Sequence, residues 1–363
     1  MSRIVIAMHD FARGGTERIA IGLAAAWVDA GRDVTILAGS AEGGQRDAVD
    51  SRVKVVVLDP PVPRAPLSRL SLGRAMARRI AALDPDIIFL PGNFHLFLSH
   101  PLRRACPRAA IVMKISNPPV PDGLEGAMLR PFFRYFASAL DSMAALSAGL
   151  AQDAQAIAPA TPVRVLHDPV FVSGAADELR AASRDGICRI LWAGRLEPQK
   201  DVGLALKTIQ ALNKFSPAHL TLLGDGSLRG WTDGQIAAMG LKEQVTRPGH
   251  VPAIDAYLAR ADVLLMTSHY EGQPAVAGEA LARGVPVVST DCCTMLGEMI
   301  TVPEAGSIVK ARAPEDLAAA LLAVFKAPSP PRENLHALVA RFAPQACARA
   351  YLDWFDHLVR AHG

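Results

Sequence analysis

The 363-residue sequence holds no apolar run near the roughly 20 residues that a membrane-spanning helix needs, so a helical span is excluded. Its five cysteines (Cys106, Cys188, Cys292, Cys293 and Cys347) are odd in number and include no C-x-x-C pair. That argues against a disulfide framework and for a reducing compartment. No grouping of ligand residues suggests a metal, and neither a metal nor another cofactor is expected. The net charge of +3 is too small to imply a nucleic-acid partner. The leading stretch, M-S-R-I-V-I-A-M-H-D, carries too short an apolar run for a secretory signal. A cytoplasmic location is expected.

What is present is core. Half of the residues are hydrophobic and a fifth are charged. Single cores rarely grow past roughly 250–300 residues, so the length points to two domains. Charge divides unevenly between them: 19 Lys and Arg against 15 Asp and Glu through Phe171, then 19 against 20.

The chain alternates short, apolar, β-branched runs with Ala- and Leu-rich helical stretches, the pattern of parallel sheets covered on both faces. Strands are expected at 3–8, 33–38, 53–58, 86–90, 110–115, 143–146 and 163–166. A polar, Ala-rich connector at 173–185 follows. The rhythm then restarts at 188–194, 219–223, 244–251, 262–266, 285–289 and 306–309. The expected domains are 1–172, 173–345, and a closing helix in 346–363 that packs back toward the first. Within that helix Tyr351, Trp354, Phe355 and Leu358 stand at helical spacing, which marks core or interdomain packing rather than a ligand box.

The stretch T-S-H-Y-E-G-Q-P-A-V-A-G-E-A-L-A-R-G-V-P-V-V-S-T, residues 267–290, reads as strand end, tight loop, helix, Gly stop and next strand. A helix starting near Pro274 aims free N–H groups and a positive dipole end past the strand, where an anion can bind. Glu271 lies in that loop and Glu279 about a turn and a half into the helix. Arg195 and Lys200 follow the first strand of the second half, so strand logic puts both cations at the same carboxyl edge. Two cations plus a helix tip make a diphosphate site that needs no metal, with Glu279 placed to accept ribose hydroxyls; the bland alternative is surface cations on a solvated loop, with one solvated Glu and one on a helix face. In the first half, Gly14 and Gly15 follow a strand and open a helix. They suit a close approach of an anion to the backbone, and equally a plain tight turn. His95 and His100 fall in a loop past a strand's carboxyl end, where open α/β sheets bind ligands, although a lone His there more often is structural or faces solvent. Two basic stretches are notable: Arg64, Arg69, Arg74, Arg78 and Arg79, and the run L-R-P-F-F-R-Y with Arg130 and Arg134. Each reads either as a solvated helix face with core Phe or as a surface for an anionic bilayer.

These residues resemble the retaining, GT-B-fold glycosyltransferases that use nucleotide sugars (family four). G-G-T-E-R, D-P-D-I-I-F-L-P-G-N-F-H, G-R-L-E-P-Q-K, G-D-G, G-H-V and E-G-Q-P-A-V-A-G-E-A carry the resemblance across both halves. It implies an α/β GT-B architecture, two Rossmann-like doubly wound domains facing each other across a cleft. It implies Arg195 and Lys200 as diphosphate ligands and Glu279 as the ribose ligand. Glu271, Gly272, Gln273 and Pro274 would bind the donor sugar, Val251 the base, and Gly14 and Gly15 would close over the phosphates. His95 would stand on the acceptor side. The implied partners are a nucleotide-sugar donor and a glycan or lipid-linked acceptor, with peripheral contact to the inner membrane face through the basic first domain. The implied reaction is metal-independent hexosyl transfer with retention, in cell-envelope or exopolysaccharide assembly. The chain departs from the pattern at His167-Asp168-Pro169-Val170, where many members have Asn-Pro-Val or Asn-Gly, and at Gln273, where an aromatic or aliphatic residue is common. Two alternatives share these features: a nucleotide-sugar 2-epimerase, which needs no acceptor, and a non-catalytic nucleotide-sugar-binding scaffold.

Overall fold

The computed structural model describes residues 2–12, 14–65, 68–121, 123–170 and 185–362. Of the expected connector, 173–184 lies outside them. The chain divides into two compact units, Met1–Pro169 with Pro344–Gly363, and Val170–Ala343.

The first unit is built on seven parallel strands: β1 (Arg3–Met8), β2 (Asp33–Ala38), β3 (Lys54–Val57), β4 (Ile87–Leu90), β5 (Ala110–Ile115), β6 (Ser142–Ala145) and β7 (Val163–Val165). Their order is β3-β2-β1-β4-β5-β6-β7. β1 lies inside the sheet between β2 and β4 and is buried from Ile4 to Met8, as its uninterrupted apolar run requires. The helix Gly15–Asp29 buries Ile19, Leu23 and Trp27 at intervals of four. The closing helix Pro344–His362 belongs to this unit. Its Tyr351 and Phe355 meet Trp27 and Phe89 with ring centroids 5.2–6.0 Å apart, and Arg32 meets Asp356 at 2.6 Å.

One lysine interrupts the apolar run of β5. Lys114 is 1% exposed, and its Nζ lies 2.8 and 2.7 Å from the two carboxylate oxygens of Asp168. A buried ammonium is tolerable only when paired in this way. Asp168 belongs to the stretch that departs from the family pattern.

The second unit holds six parallel strands: β8 (Cys188–Ala193), β9 (Ala218–Leu223), β10 (Val245–Gly249), β11 (Val263–Met266), β12 (Val287–Thr290) and β13 (Gly306–Val309). Their order is β10-β9-β8-β11-β12-β13. The helix Val202–Leu212 covers β8 and β9 and packs against Pro314–Lys326. Helix Arg229–Ala238 has no expected counterpart. Gly230, Gly234 and Asp233 are poor helix formers, and burial of Thr232 and Ile236 holds it in place. Among the described residues no helix is long and apolar enough to cross a membrane.

Candidate functional site

Because all six strands of the second unit are parallel, their carboxyl ends share one edge. The loop leaving β8 carries Arg195 and Lys200, and the loops leaving β9 and β10 carry G-D-G and Val251. The loop leaving β11 carries Glu271 to Pro274. Cross-strand bonds stitch these loops together. Gly194 N–H donates to the Leu223 carbonyl, Leu196 N–H to Asp225, and Gly224 N–H to Gly249. Gly224 has φ +125°, and a Cβ there would lie 1.9 Å from the Gly194 carbonyl oxygen. Only glycine lets the β9 loop lie so close beneath the arginine loop. Glu197 accepts from the Ser227 N–H at 3.0 Å and from its hydroxyl at 2.7 Å.

Lys200 closes a short 3-10 turn, Pro198–Lys200, just before the helix Val202–Leu212 capped by Asp201. The Thr267 hydroxyl lies 2.8 Å from the Lys200 carbonyl and accepts from Trp192 Nε1 at 3.0 Å, so β8 and β11 fix the turn together. The Lys200 ammonium meets Glu271 Oε1 at 2.5 Å, and the Ser268 hydroxyl donates to that oxygen at 2.6 Å. Both partners are largely buried, with side chains 19% and 9% exposed, so water screens them little. Arg195 is exposed and makes no side-chain hydrogen bond to another described residue. The helix Ala275–Ala282 begins at Pro274 with no side-chain cap, and Glu279 is buried within it. Gly272, Gln273 and Pro274 form the turn between Glu271 and that helix.

Sequence reading did not find Arg312. Its guanidinium meets Asp201 at 2.6 Å and donates to the carbonyls of Ser268 and Thr267 at 2.8 and 2.9 Å. It clamps the start of the Glu271 loop to the cap of the Val202–Leu212 helix. Nothing in K-A-R-A-P announces this, since its partners lie 44 to 111 residues away.

In the first unit the carboxyl ends of β1 and β4 carry a second cluster. His95 is not in an open loop: it lies in a 3-10 turn, Asn93–Leu98, and is 2% exposed. Neither ring nitrogen has a hydrogen-bond partner among the described residues. Burial, then the Arg64 and His9 charges, lower its pKa from the usual 6.5 to about 3, so the ring stays neutral. Arg64 grips Asp10 with two bonds of 2.7 and 2.8 Å and Glu17 at 3.0 Å. It therefore does not belong to a free basic surface. Arg69 lies over the Phe94 ring at 3.9 Å. Gly14 caps the Gly15–Asp29 helix, and a Cβ there would lie 2.3 Å from Glu17 Oε2, whereas Gly15 faces open space. His100 has moved into a helix, Ser99–Ala105, with Nε2 2.8 Å from the Tyr135 carbonyl. The structure thus joins Lys200 with Glu271, puts Arg195, Val251 and the 271–274 loop on one sheet edge, and sets Gly14, Gly15 and His95 in the other unit.

The two sheets and their order define the GT-B fold. Residues 182–339 match the family described as glycosyl transferases group 1, and residues 14–169 match the glycosyl transferase 4-like domain. The chain belongs to the group 1 glycosyltransferase family. Among curated proteins it is 32% identical over 149 residues to glycogen synthase of Mycobacterium tuberculosis, covering 40% of this chain and 36% of that one. It is 32% identical over 112 residues to the amylovoran biosynthesis glycosyltransferase AmsD of Erwinia amylovora, covering 31% and 32%. The matches thus span about a third of these relatives. Among solved structures, Alr3699/HepE of Anabaena with UDP and glucose superposes with a TM-score of 0.79 at 17% identity, over 98% of this chain and 100% of that one. TarM of S. aureus gives 0.80 at 13% identity, over 98% and 100%. These two likenesses establish the fold.

Proposed function

We propose that the chain transfers a hexose, with retention, from a nucleotide diphosphate sugar to a hydroxyl acceptor, in cell-envelope or exopolysaccharide assembly. The observation that carries this is the pairing of Lys200 with Glu271 beside the uncapped start of the Ala275–Ala282 helix, on the edge that also holds Arg195. Arg195 and Lys200 would hold the two phosphates. Glu271 would receive a sugar hydroxyl as Lys200 turns to phosphate, and Glu279 the ribose. Gly14 and Gly15 would close over the phosphates, and Val251 would meet the base. The acceptor oxygen bonds to the anomeric carbon on the face from which the phosphate oxygen leaves, and that oxygen takes the acceptor proton. Negative charge grows on the diphosphate through this step, so the two cations act most strongly in the transition state. His95, a buried neutral imidazole, would stand on the acceptor side. Gln273 would offer the hexose an amide where an aromatic or aliphatic residue could not hydrogen-bond.

The names of the relatives support a glycan product, and UDP in the Anabaena structure supports a nucleotide-sugar donor. The test is a thermal-shift screen over nucleotide sugars, since a tight donor raises the melting temperature by mass action. The best donor is then incubated with and without glycan or lipid-linked acceptors. A new glycoside with the donor's anomeric configuration is expected. A sugar isomer formed from donor alone would instead identify an epimerase, and donor binding without turnover a scaffold.

A further inference from the structure

Cys292 and Cys293 stand side by side in the turn that leaves β12, and glycosyl transfer gives neither a part. Cys292 is 7% exposed, Cys293 is partly exposed, and both are free thiols. The two side chains hydrogen-bond each other, and Ser289 Oγ lies 3.9 Å from the Cys292 sulfur. The bond from Cys293 holds the Cys292 thiol below the ordinary cysteine range, against the cost of burial. The same bond, and then burial, pushes Cys293 up. One sulfur is thus primed as a nucleophile with a second beside it, as in a redox-sensitive cysteine and its resolving partner. Cys106 and Cys347 are buried singly, and burial raises both, which makes them poor nucleophiles.

The turn is fastened to the candidate site. The Glu271 N–H donates to the Cys292 carbonyl at 3.0 Å, and the Thr290 hydroxyl donates to the Ser268 carbonyl at 2.7 Å. Ser268 in turn bonds the Glu271 carboxylate that pairs with Lys200. Neighbouring Cα atoms stand about 3.8 Å apart across a trans peptide, closer than the roughly 4.4–6.8 Å that disulfides favour. A ring closed between neighbours therefore has to turn the peptide that joins them. That peptide carries the carbonyl to which Glu271 donates. The same strain makes such a bond easy to reduce.

We propose that Cys292 and Cys293 form a reversible modification site, closed to a disulfide by hydrogen peroxide and reopened by small thiols, and that closure frees the Glu271 loop. The Cys292 sulfur attacks one peroxide oxygen, the O–O bond breaks, and the thiol proton leaves with the other oxygen as water. The Cys293 sulfur then displaces the hydroxyl of the sulfenic acid, which leaves with the second thiol proton as water. Two thiols and one peroxide thus give one disulfide and two waters. Exchange with two small thiols returns both cysteines and leaves the small disulfide. The proposal does not depend on glycosyl transfer, and its test reads neither donor nor product. The reduced full chain, freed of reductant, is treated with hydrogen peroxide and followed by mass and by amide hydrogen exchange. A loss of about 2 Da confined to the peptide holding residues 292–293 is expected, reversed by dithiothreitol. Exchange at Glu271 should rise at least about tenfold while the first unit's strands stay protected. Cys292→Ser and Cys293→Ser should each lack the mass loss and keep the slow exchange under peroxide. Phenylarsine oxide, which bridges two neighbouring thiols with release of one water, should add to the reduced parent and to neither variant, and should block the oxidation. No mass loss, oxidation at another cysteine in its place, a disulfide between two chains, or a closed ring with unchanged exchange at Glu271 would overturn the proposal. So would a serine variant that loosens the loop under peroxide as the parent does.

Discussion

Replacing Asp168 by Asn should destabilise the first unit far more than its small change in shape suggests. The Asn side chain fits the same space but leaves the Lys114 ammonium, 1% exposed, facing a neutral amide. Stranding one member of a buried ion pair costs about 3–5 kcal/mol. At about 2–4 °C per kcal/mol for a unit of this size, the calorimetric transition should fall by roughly 6–20 °C. Lys114→Met removes the deeper charge and leaves a carboxylate whose side chain is 10% exposed, so its cost should be smaller. The double variant Lys114→Met/Asp168→Asn holds no buried charge and should recover to within about 1 kcal/mol of the parent, because apolar replacement of a buried pair is often neutral. The coupling, the sum of the two single losses less that of the double variant, would then be at least about 2–4 kcal/mol. A loss below about 2 °C for Asp168→Asn, or additive effects in the double variant, would refute the reasoning. Either result would mean that the pair is solvated in solution.

His95 should make the first unit acid-sensitive. The unfolded imidazole titrates near its usual 6.5, whereas burial holds the native one near about 3. Between those values the unfolded chain binds a proton that the native one does not, so stability is full above pH 6.5 and falls as pH falls toward 3. His95→Gln should flatten that slope in melting temperature against pH, and an unchanged slope would refute the assignment. Gly224→Ala puts a Cβ against the Gly194 carbonyl at a φ of +125°, so nucleotide affinity should fall at least tenfold while the first unit's transition stays put. Calorimetric titration checks both. If the two cations alone neutralise the diphosphate, EDTA leaves transfer unchanged, and loss of activity restored by a divalent cation would argue otherwise.

The strands were legible because each is a short apolar run closed by glycine, proline or charge. Residues 3–8, 33–38, 110–115 and 306–309 carry the expected strand ends without adjustment. The helix Arg229–Ala238 was not legible, because its glycines argue locally against a helix and only burial of Ile236 argues for it. Helix Arg332–Val339 is similar, resting on Leu335 and Val339 after a Pro-rich lead. At the candidate site, single positions could be read from the motifs, but their pairing could not. Lys200 and Glu271 lie 71 residues apart, and no spacing tells that the carboxylate already balances the ammonium. Lys114 is a single polar residue in an apolar strand, and its partner Asp168 lies 54 residues on, in the segment after β7, with β6 standing between β5 and β7 in the sheet. Arg64 read as one of a basic series, yet Asp10 and Glu17 consume it. Of the two phenylalanines in L-R-P-F-F-R-Y, Phe133 is core and Phe132 is half exposed, a division that the helix's rotation decides and composition does not.

The claim on which the rest depends is that Arg195 and Lys200 hold a pyrophosphate. Titration of the chain with a nucleoside diphosphate and the matching monophosphate, for the parent, Arg195→Ala and Lys200→Ala, tests it most directly. The parent should prefer the diphosphate, and each variant should lose at least about tenfold of that preference, with turnover falling by a similar or larger factor; the melting transitions should be unchanged in Arg195→Ala, and Lys200→Ala should stay folded with the second unit's transition lowered because the Glu271 carboxylate loses its partner. Equal preference in all three proteins, with near-normal transfer by both variants, would contradict the account.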